Sequence, residues 1–166
     1  PALGTIPHYT KTKMSVSQLV VHKDPKWSIS EAFRSVRTNL DFIVDKRQKR
    51  VISVTSTTSG EGKTFIALNM AGIIAMSRQK VIVLDLDLRK PKVHKGFGVE
   101  NTVGISSLLI GKTTLDKAIQ HSEIPSLDFI TSGPIPPNPS ELLMSNRVEE
   151  LFKHFDKMIK FKKVLK

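Results

Sequence analysis

Apolar positions along the chain fall into helix-spaced stripes and short unbroken runs. Phe33, Val36, Leu40 and Ile43 recur at spacings of three, four and three, one stripe of an amphipathic helix. Ser28-Ile29-Ser30-Glu31, just ahead of that stripe, has the form of a capping box, in which the Ser28 hydroxyl accepts from the Glu31 amide while Glu31 reaches back. The basic run Lys46-Arg47-Gln48-Lys49-Arg50 is expected to end this helix. Val51-Ile52-Ser53-Val54 and Val81-Ile82-Val83-Leu84 read as buried strands because β-branched residues suit a pleated surface, and Leu127-Asp128-Phe129-Ile130 reads as a third. Small residues at 55–62 lead into a helix predicted from Lys63 to about Ser77. Further helices are expected at 114–120 and from Asn138, where Pro139 takes the first helical position and Glu141 completes a second capping box. Residues 1–27 have no strong periodicity; they read as an extended lead-in with Gln18-Leu19-Val20-Val21 as a short strand. Strand, helix, strand in this order predicts an α/β fold with a mostly parallel sheet flanked by helices.

Composition narrows the class. A chain of 166 residues with 39% hydrophobic and 25% charged residues buries a real core and suits one domain. No apolar run approaches the ~18 residues that a bilayer-spanning helix needs. The absence of cysteine excludes disulfides, thiol catalysis and Cys-ligated metal. A chain that opens on Pro1 is read as a piece of something longer. The formal charge of +11 is concentrated at the two ends, around residues 46–50 and in the lysine-rich tail from Lys157, whereas 101–150 is net acidic. Such charge attracts nucleic acid or an anionic membrane face. A nucleic-acid partner is not expected, because no aromatic residues interleave with the charges as a base-stacking platform requires. His8, His22, His94, His121 and His154 lack metal-ligand spacing, and Trp27 and the five methionines read as packing residues.

Two segments carry chemistry. Ser59-Gly60-Glu61-Gly62-Lys63-Thr64 lies between a predicted strand and a predicted helix, where a nucleotide phosphate chain is held. Glycines let backbone N–H groups point at phosphates, the helix N-terminus adds partial positive charge, Lys63 reaches the β- and γ-phosphates and Thr64 ligates Mg²⁺. The full pattern G-x-x-x-x-G-K-[ST] asks for glycine at position 57, where this chain has Thr57. The second segment, Asp85-Leu86-Asp87-Leu88-Arg89, puts two carboxylates at the carboxyl end of a parallel strand, outside which ligands of open α/β sheets bind. At a spacing of two, Asp85 and Asp87 point to the same side of an extended strand. One contacts Mg²⁺ and the other accepts a proton from an attacking hydroxyl, and Arg89 adds charge near the phosphates or pairs with a carboxylate.

Together these residues resemble the bacterial tyrosine kinases, cytoplasmic domains of inner-membrane proteins that control capsule and exopolysaccharide polymerisation and export. Gly60-Glu61-Gly62-Lys63-Thr64 resembles that family's Walker A, and Asp85-Leu86-Asp87-Leu88-Arg89 followed by Lys90-Pro91 resembles its Walker A′. The stretches 104–111 (Gly-Ile-Ser-Ser-Leu-Leu-Ile-Gly) and 133–143, from Gly133-Pro134-Ile135 to Leu143, are similar to two further family segments. Leu3-Gly4-Thr5-Ile6-Pro7 looks like the segment just after the family's second transmembrane helix. The resemblance runs from residue 3 to about 152.

It implies a P-loop NTPase fold, with 1–27 a lead-in after an upstream membrane segment and 28–166 a truncated kinase-like domain. It also implies an ATP- and Mg²⁺-dependent protein tyrosine kinase that phosphorylates itself within a ring of copies. Phosphate binding falls to Ser59, Gly60, Glu61, Gly62, Lys63, Thr64 and Arg89; metal binding to Thr64, Asp85 and Asp87; catalysis to Lys63, Asp85 and Asp87. Glu31, Arg34 and Arg37 fit the family's E-x-x-R-x-x-R element and become contacts between subunits. A membrane-embedded polysaccharide co-polymerase segment, fused or separate, is the implied partner, at the cytoplasmic face of the inner membrane. Two family features are absent. Residues 155–166 do not continue as the central hydrophobic strand ending Asp-x-Pro-Pro, so the fold is expected to be incomplete at its C-terminus. The tyrosine cluster is also absent, Tyr9 being the sole tyrosine. The alternatives are a catalytically inactive nucleotide-binding or assembly module of the same export system, and a partitioning-type ATPase. The latter carries a signature lysine where this chain has Thr58.

Overall fold

The computed structural model describes residues 2–9, 19–43, 50–158 and 162–165. The first half runs α1 (Val20–Lys23), α2 (Ser28–Ile43), β1 (Val51–Ile52), α3 (Lys63–Met76), β2 (Lys80–Leu84) and α4 (Val93–Phe97). It continues as α5 (Ile105–Leu109), α6 (Leu115–Ala118), β3 (Gln120–His121), β4 (Leu127–Ile130), α7 (Pro139–Met144), α8 (Asn146–Met158) and β5 (Lys162–Leu165). The five strands form one sheet in the order β1-β5-β2-β4-β3. All pairs are parallel except β3 with β4.

Strand periodicity divides the core. Side chains alternate across a strand, so Val81 and Val83 of β2, with Leu127 and Phe129 of β4, join Phe33, Leu68, Ile73 and Ile74 on one face. Ile82, Leu84 and Ile130 join Ile105, Leu109 and Phe155 on the other. Both faces of the central strands are buried, which is why these runs are continuously apolar instead of alternating. Each fully buried leucine or isoleucine contributes about 1.5–3 kcal/mol against its exposed state.

The expected gap in the sheet is filled. Lys162–Leu165 forms β5, centred between β1 and β2, with Val51 opposite Val164 and Val83 opposite Leu165. Backbone N–H and C=O groups drive this insertion, since strands β1 and β2 would otherwise leave facing ladders unpaired. The pair Lys162-Lys163 breaks the apolar pattern by which such a strand is recognised, although ladder bonds do not depend on side-chain type.

Other expectations shift. Strand β1 is not a buried four-residue strand: it has two residues, sits at the sheet edge bonded only to β5, and leaves Val51 61% exposed. Val20 and Val21 belong to a single helical turn rather than a strand, held by the buried Asn69, whose Oδ1 accepts the Val21 N–H at 3.1 Å; Gln18 and the basic residues 46–49 lie outside the described residues. Helix α2 starts on the Trp27 carbonyl, which accepts from Ser30 and Glu31 at 2.9 and 3.1 Å. The Ser28 capping box is therefore not made, and the Glu31 carboxylate turns to Arg34, a charged partner. The stripe of α2 is buried at Phe33 and runs out at Ile43, which is 67% exposed. The 114–120 helix is cut short at Ala118, after which Gln120 and His121 pair with β4. Helix α7 ends at Met144, because Ser145 is extended, and α8 starts anew. Glu141 reaches back to the Asn138 side chain, at 3.0 Å, and not to its backbone.

Candidate functional site

Strands β1 and β2 are parallel with β5 between them, so their carboxyl ends emerge on one edge of the sheet, two strand spacings or about 10 Å apart. The loop after β1 carries residues 59–64 and the loop after β2 carries residues 85–89. Topology thus brings the two sequence motifs to a shared edge, the usual ligand edge of open α/β sheets.

The phosphate loop turns through left-handed backbone at Gly60 (φ 94°) and Gly62 (φ 91°), conformations that favour glycine. Nothing lies within 4 Å of where a Cβ would stand at either position, so the space beside each glycine is open. Gly62 is the N-cap of the 14-residue helix α3, and its carbonyl accepts the Ile66 N–H at 2.9 Å. Among the described residues, the N–H groups of Gly60, Glu61, Gly62, Lys63, Thr64 and Phe65 have no acceptor. These orphan donors and the positive end of the α3 dipole form an anion cradle. Lys63 and Thr64 open α3, and Lys63 has no ion-pair partner among the described residues. Ser59 is exposed on the turn. Glu61 does not face the cradle with its carboxylate, which accepts the Thr58 hydroxyl at 2.7 Å and the Thr58 N–H at 3.2 Å. Those bonds, the hydroxyl's first, hold the Glu61 pKa below the ordinary carboxylate range.

The paired carboxylates part company. Strand β2 ends at Leu84, so the period-two argument does not extend to Asp85 and Asp87. Asp85 is 4% exposed; its Oδ1 accepts the Asp87 N–H and its Oδ2 the Val93 N–H, each at 3.2 Å. Burial outweighs these bonds and raises its pKa to about 6. Asp87 is exposed and accepts the Lys90 N–H at 3.0 Å, which closes a turn. Arg89 donates to the Ser140 hydroxyl in the first turn of α7, at 2.6 Å, instead of pairing with a carboxylate. Among the described residues no three His, Asp or Glu side chains converge as a metal cage. A divalent ion at this edge would accordingly take part of its oxygen shell from a bound phosphate, as Mg²⁺ commonly does.

A further feature of this sheet edge has no signature in residue chemistry. The N–H groups of Ile105 and Ser106 donate to the carbonyls of Thr131 and Ser132 at 2.9 and 2.8 Å, a short bridge at the carboxyl end of β4. Asn101 seals it: Nδ2 donates to the Gly133 carbonyl at 2.7 Å and Oδ1 accepts the Gly133 N–H at 2.8 Å. A Cβ on Gly104 would stand 2.1 Å from the Thr131 carbonyl oxygen, so only glycine permits this approach. The segments 104–111 and 133–143, which stood out only by resemblance, are thus joined to one another. Arg89 links them to the Asp85 loop.

Glu31, Arg34 and Arg37 lie on α2. Glu31 and Arg34 form an exposed pair, and Arg34 also donates to the Pro25 carbonyl at 2.8 Å. Arg37 points back into the domain, donating from Nη1 to the Ile73 carbonyl of α3 at 3.3 Å.

With this geometry in hand, comparison with known proteins is specific. The CobQ/CobB/MinD/ParA nucleotide binding domain family matches residues 52–165. Tyrosine-protein kinase YwqD of Bacillus subtilis (strain 168) is 45% identical over 133 residues, which are 80% of this chain and 56% of YwqD. The crystal structure of the chimerical protein CapA2B2 superposes with a TM-score of 0.87 at 39% identity, covering 99% of this chain and 70% of that one. The kinase domain of the Escherichia coli tyrosine kinase ETK superposes with a TM-score of 0.84 at 34% identity, covering 98% and 67%. This chain therefore spans little more than half the length of the curated relative YwqD.

Proposed function

This chain belongs to the bacterial tyrosine kinases within the CobQ/CobB/MinD/ParA nucleotide-binding family, and from that premise we propose that it binds Mg-ATP and transfers the γ-phosphoryl group to a tyrosine hydroxyl. One observation carries the reading: six consecutive N–H groups, Gly60 to Phe65, have no acceptor among the described residues and stand at the head of a long helix. Such a row suits a polyphosphate and has no structural use left unfilled.

The residues divide the work. The N–H row and the Lys63 ammonium bind the β- and γ-phosphates and offset negative charge that moves towards the leaving oxygen. The Thr64 hydroxyl would hold Mg²⁺, which when bound neutralises phosphate charge, while the oxygens of Asp85 are already engaged by the Asp87 and Val93 N–H groups. A tyrosine hydroxyl has a pKa near 10 and needs a base at neutral pH. Exposed Asp87 is the carboxylate that such a hydroxyl can reach, whereas buried Asp85 holds the 87–93 loop in place. The partitioning-type alternative is disfavoured by Thr58, which takes the place of the signature lysine and is engaged with Glu61.

Self-assembly through α2, a co-polymerase partner in polysaccharide export and a position at the cytoplasmic membrane face belong to the same proposal. They rest on the family resemblance carried by the sequence motifs and, for self-assembly, on the exposed Glu31–Arg34 pair. No helix among the described residues is long and apolar enough to cross a membrane.

The test is equilibrium binding of Mg-ATP to this chain beside a Lys63→Met control, followed by a phosphotyrosine assay on an added tyrosine peptide. Binding that the substitution abolishes, with tyrosine phosphorylation, supports the kinase. Binding without transfer leaves the inactive nucleotide-binding module. No binding by a folded chain overturns the reading.

A further inference from the structure

Glu61 is an acidic residue in the middle of a loop built to receive a polyanion. If its carboxylate did nothing there, it would only repel phosphate, since like charges within a few ångströms interact strongly even at a solvated surface. The structure shows it occupied elsewhere. Both of its oxygens are bound by Thr58, through the hydroxyl at 2.7 Å and the backbone N–H at 3.2 Å. Thr58 is held in turn by Ser56, whose hydroxyl donates to the Thr58 carbonyl at 2.8 Å. This chain of bonds closes the turn from 56 to 61. It encloses the left-handed Gly60, ends just before the left-handed Gly62, and engages the negative charge away from the free N–H groups of Gly60 to Phe65.

We propose that Thr58 and Glu61 act as a positioning pair: their clasp sets the phosphate loop in its receiving conformation before nucleotide arrives, and neither side chain touches the phosphates. The inference rests on the nucleotide-binding reading given above. A loop ordered in advance loses less conformational freedom when ligand binds, so the clasp acts on affinity. The clasp lies on an exposed turn, so it contributes little to the stability of the domain.

The sign of one substitution decides. On charge alone, Glu61→Ala removes a repulsive carboxylate and tightens Mg-ADP binding. On the clasp reading the same change weakens binding, by about three- to tenfold. Thr58→Val weakens it to a similar degree, and the Thr58→Val/Glu61→Ala double variant is no weaker than the worse single, because both remove one device. Thr58→Ser keeps the hydroxyl and near wild-type affinity, and Glu61→Gln, which keeps one of the two acceptors, loses less than Glu61→Ala. Melting temperatures stay unchanged throughout. Titration of Mg-ADP against this series, with Lys63→Met alongside, gives the answer. Equal or tighter binding by Glu61→Ala, or losses that multiply in the double variant, overturns the clasp. If Lys63→Met also leaves binding unchanged, the nucleotide reading falls and the clasp with it. If Lys63→Met abolishes binding while Glu61→Ala does not weaken it, only the clasp falls.

Discussion

Asp85 Oδ2 accepts the Val93 N–H at 3.2 Å, tying the end of β2 to the start of α4 across the 86–92 loop. Asp85 is the buried member of a pair of carboxylates two residues apart, and its pKa of about 6 stands above the ordinary 3.8 because burial disfavours its charge. Between those values the folded chain holds a proton that the unfolded chain has released. Stability from this carboxyl is therefore full below about pH 4 and is lost as pH rises through about 6. Asp85→Asn cannot ionise and lacks this dependence. Denaturant melts at both ends of the range should show wild type losing roughly 2–3 kcal/mol relative to the variant on going from about pH 4 to about pH 7. Parallel curves would mean that Asp85 titrates as an ordinary aspartate.

Arg50 and Asp41 form an ion pair at 2.7 Å whose side chains are 3% and 8% exposed, joining the end of α2 to the residue before β1. Both side chains are buried in this pair, so Arg50→Met or Asp41→Leu should each destabilise by about 1–3 kcal/mol. The double replacement should cost clearly less than the two singles together, since both singles break the same pair. Chemical denaturation of the three variants measures this, and strictly additive losses would count against the pairing.

Gly104 and Gly98 separate close approach from backbone preference. Gly104 has extended backbone and faces the Thr131 carbonyl, so Gly104→Ala forces the 101–106 and 131–134 segments apart. A loss above roughly 3 kcal/mol, or failure to fold, is expected. Gly98 has a φ of 70° and open space around it, and Gly98→Ala should cost only about 1 kcal/mol. Thermal melts of the two variants distinguish these outcomes.

The Glu31–Arg34 pair is exposed, and pairs of this kind on helices are worth only about 0.2–0.5 kcal/mol. Arg34→Ala also removes the bond to the Pro25 carbonyl and should cost no more than about 1.5 kcal/mol. If α2 is an assembly surface, the same variant lowers the sedimentation coefficient of the assembled form. A large loss of stability with no change in size would assign Arg34 to the fold alone.

Local patterns in the sequence determined α3, β2, β4 and the placing of a glycine-containing loop and two carboxylates at strand ends. Each depends on short-range rules: apolar runs for buried strands, glycine for left-handed turns, and a lysine at a helix start. What the pattern could not settle depends on partners distant in the chain. Strand β5 is apolar only in part, and it becomes a strand because β1 and β2 present open ladders on either side of it. The β-branched residues of β1 predict burial, but its edge position leaves Val51 exposed. Asp85 and Asp87 are the same residue type two apart; only the return of α4 against the sheet buries one and leaves the other in solvent. The Asn101 seal is a hydrogen-bond choice among several open to that side chain. Tertiary structure makes such choices because a buried polar group must find a partner in place of water, and only the folded chain decides which partner is within reach.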